Sequence, residues 1–133
     1  MPMLGLGTFD LREQSGADAV TQAIDIGYTH IDTASGYDNE EIVGRGIRRS
    51  GRAREDLFVT TKVSRDDLAT AATRASAEGS LARLQLDYVD LLLIHWPNLD
   101  IPLEETLTVF AELVDEGAQH RHFQLHPAAG RQG

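Results

Sequence analysis

Four times within the first 117 residues, a short apolar run gives way to a stretch whose apolar residues recur every three to four positions. Leu4 to Thr8 is a short extended piece broken by Gly5 and Gly7. Ser15-Gly16-Ala17-Asp18 opens a helical pattern carried by Ala19, Val20, Ala23, Ile24 and Ile26, and Gly27 stops it. Tyr28 to Asp32 reads as a second strand. Ile42, Val43 and Ile47 mark a second helix, with Asn39 as its predicted cap and Ser50-Gly51 as its end. Leu57 to Val63 is β-branched and reads as a third strand. The helix after it starts beyond Ser64 or Asp66 and runs to about Leu84. Tyr88 to Ile94 is apolar apart from Asp90, as expected of a strand covered on both faces. Pro102 at a first helical position opens the last helix, predicted to turn Leu103, Leu107, Phe110 and Leu113 inward and to end at Gly117.

Strands alternating with helices predict a parallel sheet with helices packed on it, an α/β fold. Spacing alone fits an open doubly wound sheet and an arc of a (β/α)8 barrel equally well. Gly5-Leu6-Gly7 is no dinucleotide fingerprint, because the third glycine and a long preceding strand are missing. It reads as a tight strand-end turn.

Composition narrows the function. A chain of 133 residues has room for one domain. With 21 acidic against 12 basic residues the net charge is -9, which disfavours a nucleic-acid partner. Without cysteine there is no disulfide framework and no thiolate metal site. Leu91 to Ile94, the longest apolar stretch, is far too short to span a bilayer, and Met1 to Gly5 lacks the features of a signal peptide. A soluble, cytoplasmic domain with no membrane partner is the expectation. Charge is uneven, however. From Ala118 onward there is no Asp or Glu, and three of the five histidines (His120, His122, His126) fall in that tail.

Polar chemistry gathers where each strand ends. Asp32 ends the second strand and Tyr37 follows in the next loop; Lys62 is near the end of the third strand and His95 at the end of the fourth. Parallel α/β folds bring such ends onto one rim. Singly, Asp32 reads as a turn cap, Tyr37 as a loop residue and His95 as a core histidine. Lys62 differs, because a lysine inside an apolar strand must find a partner or lose its proton. Together the four favour a site. A free phenol, with a pKa of about 10, is a poor acid near neutrality. A neighbouring ammonium stabilises the phenolate, a carboxylate holds the ammonium, and a histidine orients a carbonyl oxygen. These types suit proton donation to C=O, with a hydride from elsewhere, and no metal.

Gly27-Tyr28-Thr29-His30-Ile31-Asp32-Thr33-Ala34, then Tyr37 and Asn39-Glu40-Glu41-Ile42-Val43-Gly44, resembles the aldo-keto reductase signature. Val59-Thr60-Thr61-Lys62-Val63 and Leu86 to Pro97, ending Ile94-His95-Trp96-Pro97, match the same family in order and spacing over residues 4 to 117. The chain is most similar to the bacterial branch that includes diketogluconate reductases. The resemblance implies a (β/α)8 TIM barrel, of which residues 1–117 are the first four βα units. It also implies NADPH as hydride donor, a small carbonyl substrate, and a catalytic tetrad of Asp32, Tyr37, Lys62 and His95 with Tyr37 as the acid. Gly7, Thr8 and Asp32 match positions at the nicotinamide; His95 and Trp96 match the substrate pocket.

A full barrel of this kind takes about 250 residues. The floor hairpin and the main adenosine-phosphate grip of the family have no counterpart in residues 1–117. The tail from residue 118 departs from the family text. Back-translated, Gln119 to Pro127 read one base on becomes Asn-Ile-Gly-Ile-Ser-Asn-Phe-Thr, the strand-five text the family leads one to expect. A frameshift near Gly117 and an unrelated, disordered tail over 118–133 follow as the expectation, ahead of a histidine metal site. On this reading the chain is an inactive fragment of a carbonyl reductase. The alternative is a non-catalytic half-barrel assembly module. In either case its unpaired strand edges invite edge-to-edge self-association.

Overall fold

The computed structural model describes residues 1–120. Four strands form one wholly parallel sheet in chain order: β1 (Gly5–Gly7), β2 (His30–Asp32), β3 (Phe58–Val63) and β4 (Leu91–Ile94). Helices α1 (Glu13–Asp25), α2 (Glu40–Arg49), α3 (Thr70–Leu84) and α4 (Leu103–His120) alternate with them. This is the four-unit arc of a (β/α)8 barrel, with each helix packed beside the next along one face.

Strand alternation sorts the two faces. Ile31, Val59, Val63 and Leu92 point to the helix side and are buried against Val20 and Ile24 of α1, Val43 and Ile47 of α2, Leu84 of α3, and Val109 and Leu113 of α4. The opposite face, the inside of the arc, carries His30, Asp32, Phe58, Lys62, Leu91 and Leu93, all part-exposed. Register levels Gly7 with Asp32, Asp32 with Thr60, and Thr60 with Leu91. All four strands therefore end near one rim.

Helix spacing at α1 and α2 leaves no room for side chains at one position. A Cβ on Gly46 would stand 2.6 Å from Val20 Cβ and 2.7 Å from the Ala17 carbonyl, so the two helices touch backbone to backbone there. Gly27, at φ +117°, turns the chain out of α1, as its place after the helical run predicts.

Three local expectations are corrected. Asn39 takes the N-cap position of α2 as expected, but its side chain makes no capping bond; its Nδ2 donates to the carbonyls of Thr8 (2.7 Å) and Leu11 (3.1 Å), tying α2 to the loop after β1. The inward face of α4 is Thr106, Val109 and Leu113, with Phe110 packed against the core as expected, while Leu103 and Leu107 are 54% and 49% exposed. Thr106 takes the inward place because its hydroxyl donates to the Leu68 carbonyl at 2.6 Å. Gly117 does not end α4; it is buried within the helix, which runs on to His120. The segment set apart from residue 118 lies outside the described residues beyond that last turn. Among the described residues, no helix is long and apolar enough to cross a membrane.

Candidate active site

Four side chains meet at the C-terminal rim. Asp32 is the last residue of β2, and β3 runs beside it, so Lys62 stands two positions beyond the Asp32–Thr60 pair on the same face. Lys62 Nζ lies 2.6 Å from Asp32 Oδ1 and donates to the Thr33 carbonyl at 2.9 Å and to Tyr37 Oη at 3.3 Å. Its side chain is 12% exposed, that of Asp32 36%. A part-buried ammonium is thus satisfied by a carboxylate and a carbonyl while facing a phenol.

Tyr37 closes a single 3-10 turn, Ser35–Tyr37, that follows β2 directly. Ser35 Oγ anchors this turn by donating to the Lys62 carbonyl at 2.9 Å, and Asp38 leaves it in the left-handed region at φ 54°. The Tyr37 ring sits edge-on between Phe9 (centroids 5.3 Å apart, 72°) and His95 (5.4 Å, 79°). Ring edges meeting ring faces favour this arrangement electrostatically and hold the phenol in one orientation.

His95 follows β4 immediately, and its amide donates to the Val63 carbonyl at 2.9 Å. Burial pushes its imidazole below the ordinary histidine value of 6.5, and the Lys62 ammonium pushes it further; Asp32 opposes both. The neutral ring is therefore the favoured form beside Tyr37. Trp96 stacks on His95 at 6.0 Å and is 64% exposed, a wall at the mouth of the rim.

Gly7 and Thr8 lie at the end of β1. A Cβ on Gly7 would meet nothing within 4 Å, so space is open above β1 beside Asp32. Thr8 is wholly buried, and both its amide (3.1 Å) and its hydroxyl (3.0 Å) donate to the Asp32 carbonyl. Its hydroxyl fixes the backbone of Asp32 rather than facing the open rim.

Sequence reasoning missed three contributors. Phe9, which packs on Tyr37, lies one residue past Thr8 in the same loop cluster. Ser35 sits in the turn that sets Tyr37 and carried no separate signal. Glu40, 1% exposed, accepts bonds from Thr61 (2.8 Å), Ser80 (3.1 Å) and Arg83 (2.9 and 3.0 Å), joining α2, β3 and α3 behind the rim.

Known proteins match this chain in sequence and fold. The profile described as "Aldo/keto reductase family" matches residues 3–121. A glyoxal reductase of Bacillus subtilis (strain 168) is 46% identical over 131 residues, covering 95% of this chain and 47% of that protein. An aldo-keto reductase of Mycolicibacterium vanbaalenii is 50% identical over 97 residues, covering 73% of this chain and 35% of that protein. The crystal structure of MGS-M4, an aldo-keto reductase from a deep-sea metagenome library, superposes with a TM-score of 0.86 at 42% identity, over 93% of this chain and 44% of that one. A candidate 2,5-diketo-D-gluconic acid reductase B gives 0.85 at 40% identity, over 92% and 42%. The chain spans under half the length of each.

Proposed function

The chain belongs to the aldo/keto reductase family, and we propose that its rim is the proton-donating half of an NADPH-dependent carbonyl reductase acting on small aldehydes or ketones. The observation that carries the reading is the Lys62 ammonium held between Asp32 Oδ1 at 2.6 Å and Tyr37 Oη at 3.3 Å. NADPH, when bound, supplies the hydride to the carbonyl carbon. The residues present fit its reacting end, since Gly7 leaves open space beside Asp32; Gly7 and Asp32 would border that end, with Thr8 acting through the Asp32 backbone it fixes.

The chain's own residues do the rest. Tyr37 Oη gives its proton to the carbonyl oxygen as the alcohol forms. Lys62 stabilises the phenolate left behind, and Asp32 holds Lys62 in place. His95, kept neutral, offers a ring N–H to orient the same oxygen, against the wall made by Trp96. General acid catalysis of this kind contributes about 10² to 10⁴ in rate.

For a chain this short against its relatives, NADPH affinity and turnover on its own are expected to be low. The rim as described offers no cluster of cations for the phosphates, because Lys62 is already committed to Asp32 and Thr33. The test is a chimera joining residues 1–117 to the C-terminal half of the Bacillus subtilis glyoxal reductase. Carbonyl-dependent NADPH oxidation is expected, and Tyr37→Phe should remove most of it while NADPH still binds. Near-normal turnover in that variant would overturn the assignment of Tyr37.

A further inference from the structure

Lys62 meets the segment that carries Tyr37 twice. Its ammonium faces Tyr37 Oη at 3.3 Å, and its backbone carbonyl accepts from Ser35 Oγ at 2.9 Å. The ladder explains why a side chain is needed there. Rungs of a parallel pair recur every two residues along a strand. On β3 the Val59 and Val63 carbonyls point to the β4 side, accepting from the amides of Asp90 and His95, while the Thr60 carbonyl points to β2 and accepts from Thr33 at 2.9 Å. The next rung towards β2 would join the amide of residue 35 to the Lys62 carbonyl. The chain has left the sheet by then, in the turn Ser35–Tyr37. The Ser35 hydroxyl stands in for that amide and satisfies the carbonyl.

Little else fixes this turn. Its backbone bonds, from the Tyr37 amide to the Ala34 carbonyl and from the Asp38 amide to the Ser35 carbonyl, tie it only to itself. Among the described residues, Ser35 and Tyr37 supply the only side chains of residues 35–38 that bond to the rest of the fold. Ser35 Oγ has one proton and gives it to the Lys62 carbonyl, so Ser64 is the donor in the 3.3 Å contact between the two hydroxyls. Gly36 leaves room for this chain of hydroxyls, since a Cβ there would stand 3.1 Å from Ser64 Oγ.

We propose that Ser35 is a positioning residue for carbonyl reduction: its bond to the Lys62 carbonyl locks the turn that bears the phenol to the strand that bears the ammonium. The inference rests on reading Tyr37 as the acid. Ser35 touches no reacting atom. It acts through Tyr37, whose ring it holds against Lys62 Nζ, 5.0 Å from the ring centroid, and against His95. Without the hydroxyl, the turn between buried Ala34 and Asn39 keeps only the contacts of the Tyr37 side chain itself. The phenol is then free to drift from the ammonium, and a misplacement of about 1 Å can cost on the order of a hundredfold in rate.

In the full chain, Ser35→Ala should keep the circular dichroism spectrum while NMR cross-relaxation between the Tyr37 and His95 rings, 5.4 Å apart at their centroids, falls clearly below that of the parent. In the chimera with the Bacillus subtilis C-terminal half, the same variant should lower kcat by roughly tenfold to a hundredfold, with KM and NADPH affinity unchanged. The solvent deuterium isotope effect on kcat should rise as proton transfer from Tyr37 slows. A merely structural role would lower kcat through lost folded enzyme and leave the isotope effect where it was. Ser64→Ala, which spares the bond to the Lys62 carbonyl, should stay near the parent in every measurement. Unchanged ring cross-relaxation, an unchanged isotope effect, or an equal loss in Ser64→Ala would each overturn the proposal. Tyr37→Phe separates it from the reading beneath it. Turnover lost in Tyr37→Phe but intact in Ser35→Ala leaves the acid standing and removes the positioning role; normal turnover in Tyr37→Phe removes both.

Discussion

Lys62 Nζ stands 2.6 Å from Asp32 Oδ1 across two adjacent parallel strands, and the same ammonium faces the Tyr37 hydroxyl at 3.3 Å. Register produces this geometry. Asp32 pairs with Thr60, so the residue two further along β3 leans over the carboxylate from the same face of the sheet.

The two partners are not equivalent under mutation. Asp32→Ala leaves a mostly buried cation with one carbonyl and one phenol, and is expected to cost about 1–2 kcal/mol of stability, between exposed and buried ion pairs. Lys62→Met keeps the length of the side chain and leaves only a part-exposed carboxylate, which water can solvate. It should be nearly neutral for stability while abolishing turnover in the chimeric enzyme. Urea unfolding of both variants checks the order; a larger loss from Lys62→Met would count against it.

Glu40 makes a stronger prediction about the scaffold. Its carboxylate is 1% exposed and accepts from Thr61, Ser80 and twice from Arg83. Arg83→Ala strands that buried charge with two hydroxyls; because Arg83 itself is 42% exposed, the expected cost lies between exposed and buried pairs, about 1–3 kcal/mol. Glu40→Gln keeps an acceptor oxygen for Arg83 and Ser80 and puts an amide donor where the Thr61 hydroxyl can turn to accept, so it should cost clearly less. Equal losses in denaturant titrations would mean that the charge pair contributes nothing beyond shape.

The rim was legible in the sequence because each of its residues lies at or just past a strand end, a position that parallel α/β architecture converts into convergence. Asp32, Lys62 and His95 were placed this way, and Tyr37 by its short distance from β2. Glu40 was not legible, since its partners stand 21 to 43 residues away and no local pattern announces a buried acid. The helical repeat in α4 gave the helix and, in Phe110 and Leu113, half of its inward face, but misplaced Leu103 and Leu107. Leu103 and Leu107 fit an inward stripe as well as Thr106 does, and a hydroxyl bonding the Leu68 carbonyl decided between them. Asn39 shows the same competition: two carbonyls across the fold took the side chain that a cap would have used.

Backbone contact between α1 and α2 predicts intolerance at Gly46. A methyl group there would press on Val20 and on the Ala17 carbonyl, which belongs to helix backbone and cannot swing away. Although alanine is the better helix former, Gly46→Ala should therefore destabilise by about 1–3 kcal/mol through overpacking. The opposite sign in a thermal melt would show that the helices separate freely.

His95 ties the site to pH. Burial first, and the Lys62 ammonium second, hold its imidazole below the ordinary value of 6.5, with Asp32 pulling the other way. In the unfolded chain this histidine takes up a proton as pH falls through about 6.5, while in the folded chain it does so only at lower pH. The unfolded state binds more protons over that interval, so stability from this group is fully present above about pH 6.5 and declines as pH falls towards the folded value. His95→Gln, which cannot titrate, should flatten that part of the stability profile, and the difference between the two proteins should grow from pH 7 to pH 5. An NMR titration of the His95 ring reads the cause directly, with an expected midpoint below 6.5. Lys62→Met removes the second of the two depressing influences and should move the midpoint up without restoring it fully, because burial remains. A wild-type midpoint at or above 6.5, or no movement on Lys62→Met, would show that His95 does not sense the ammonium across the rim.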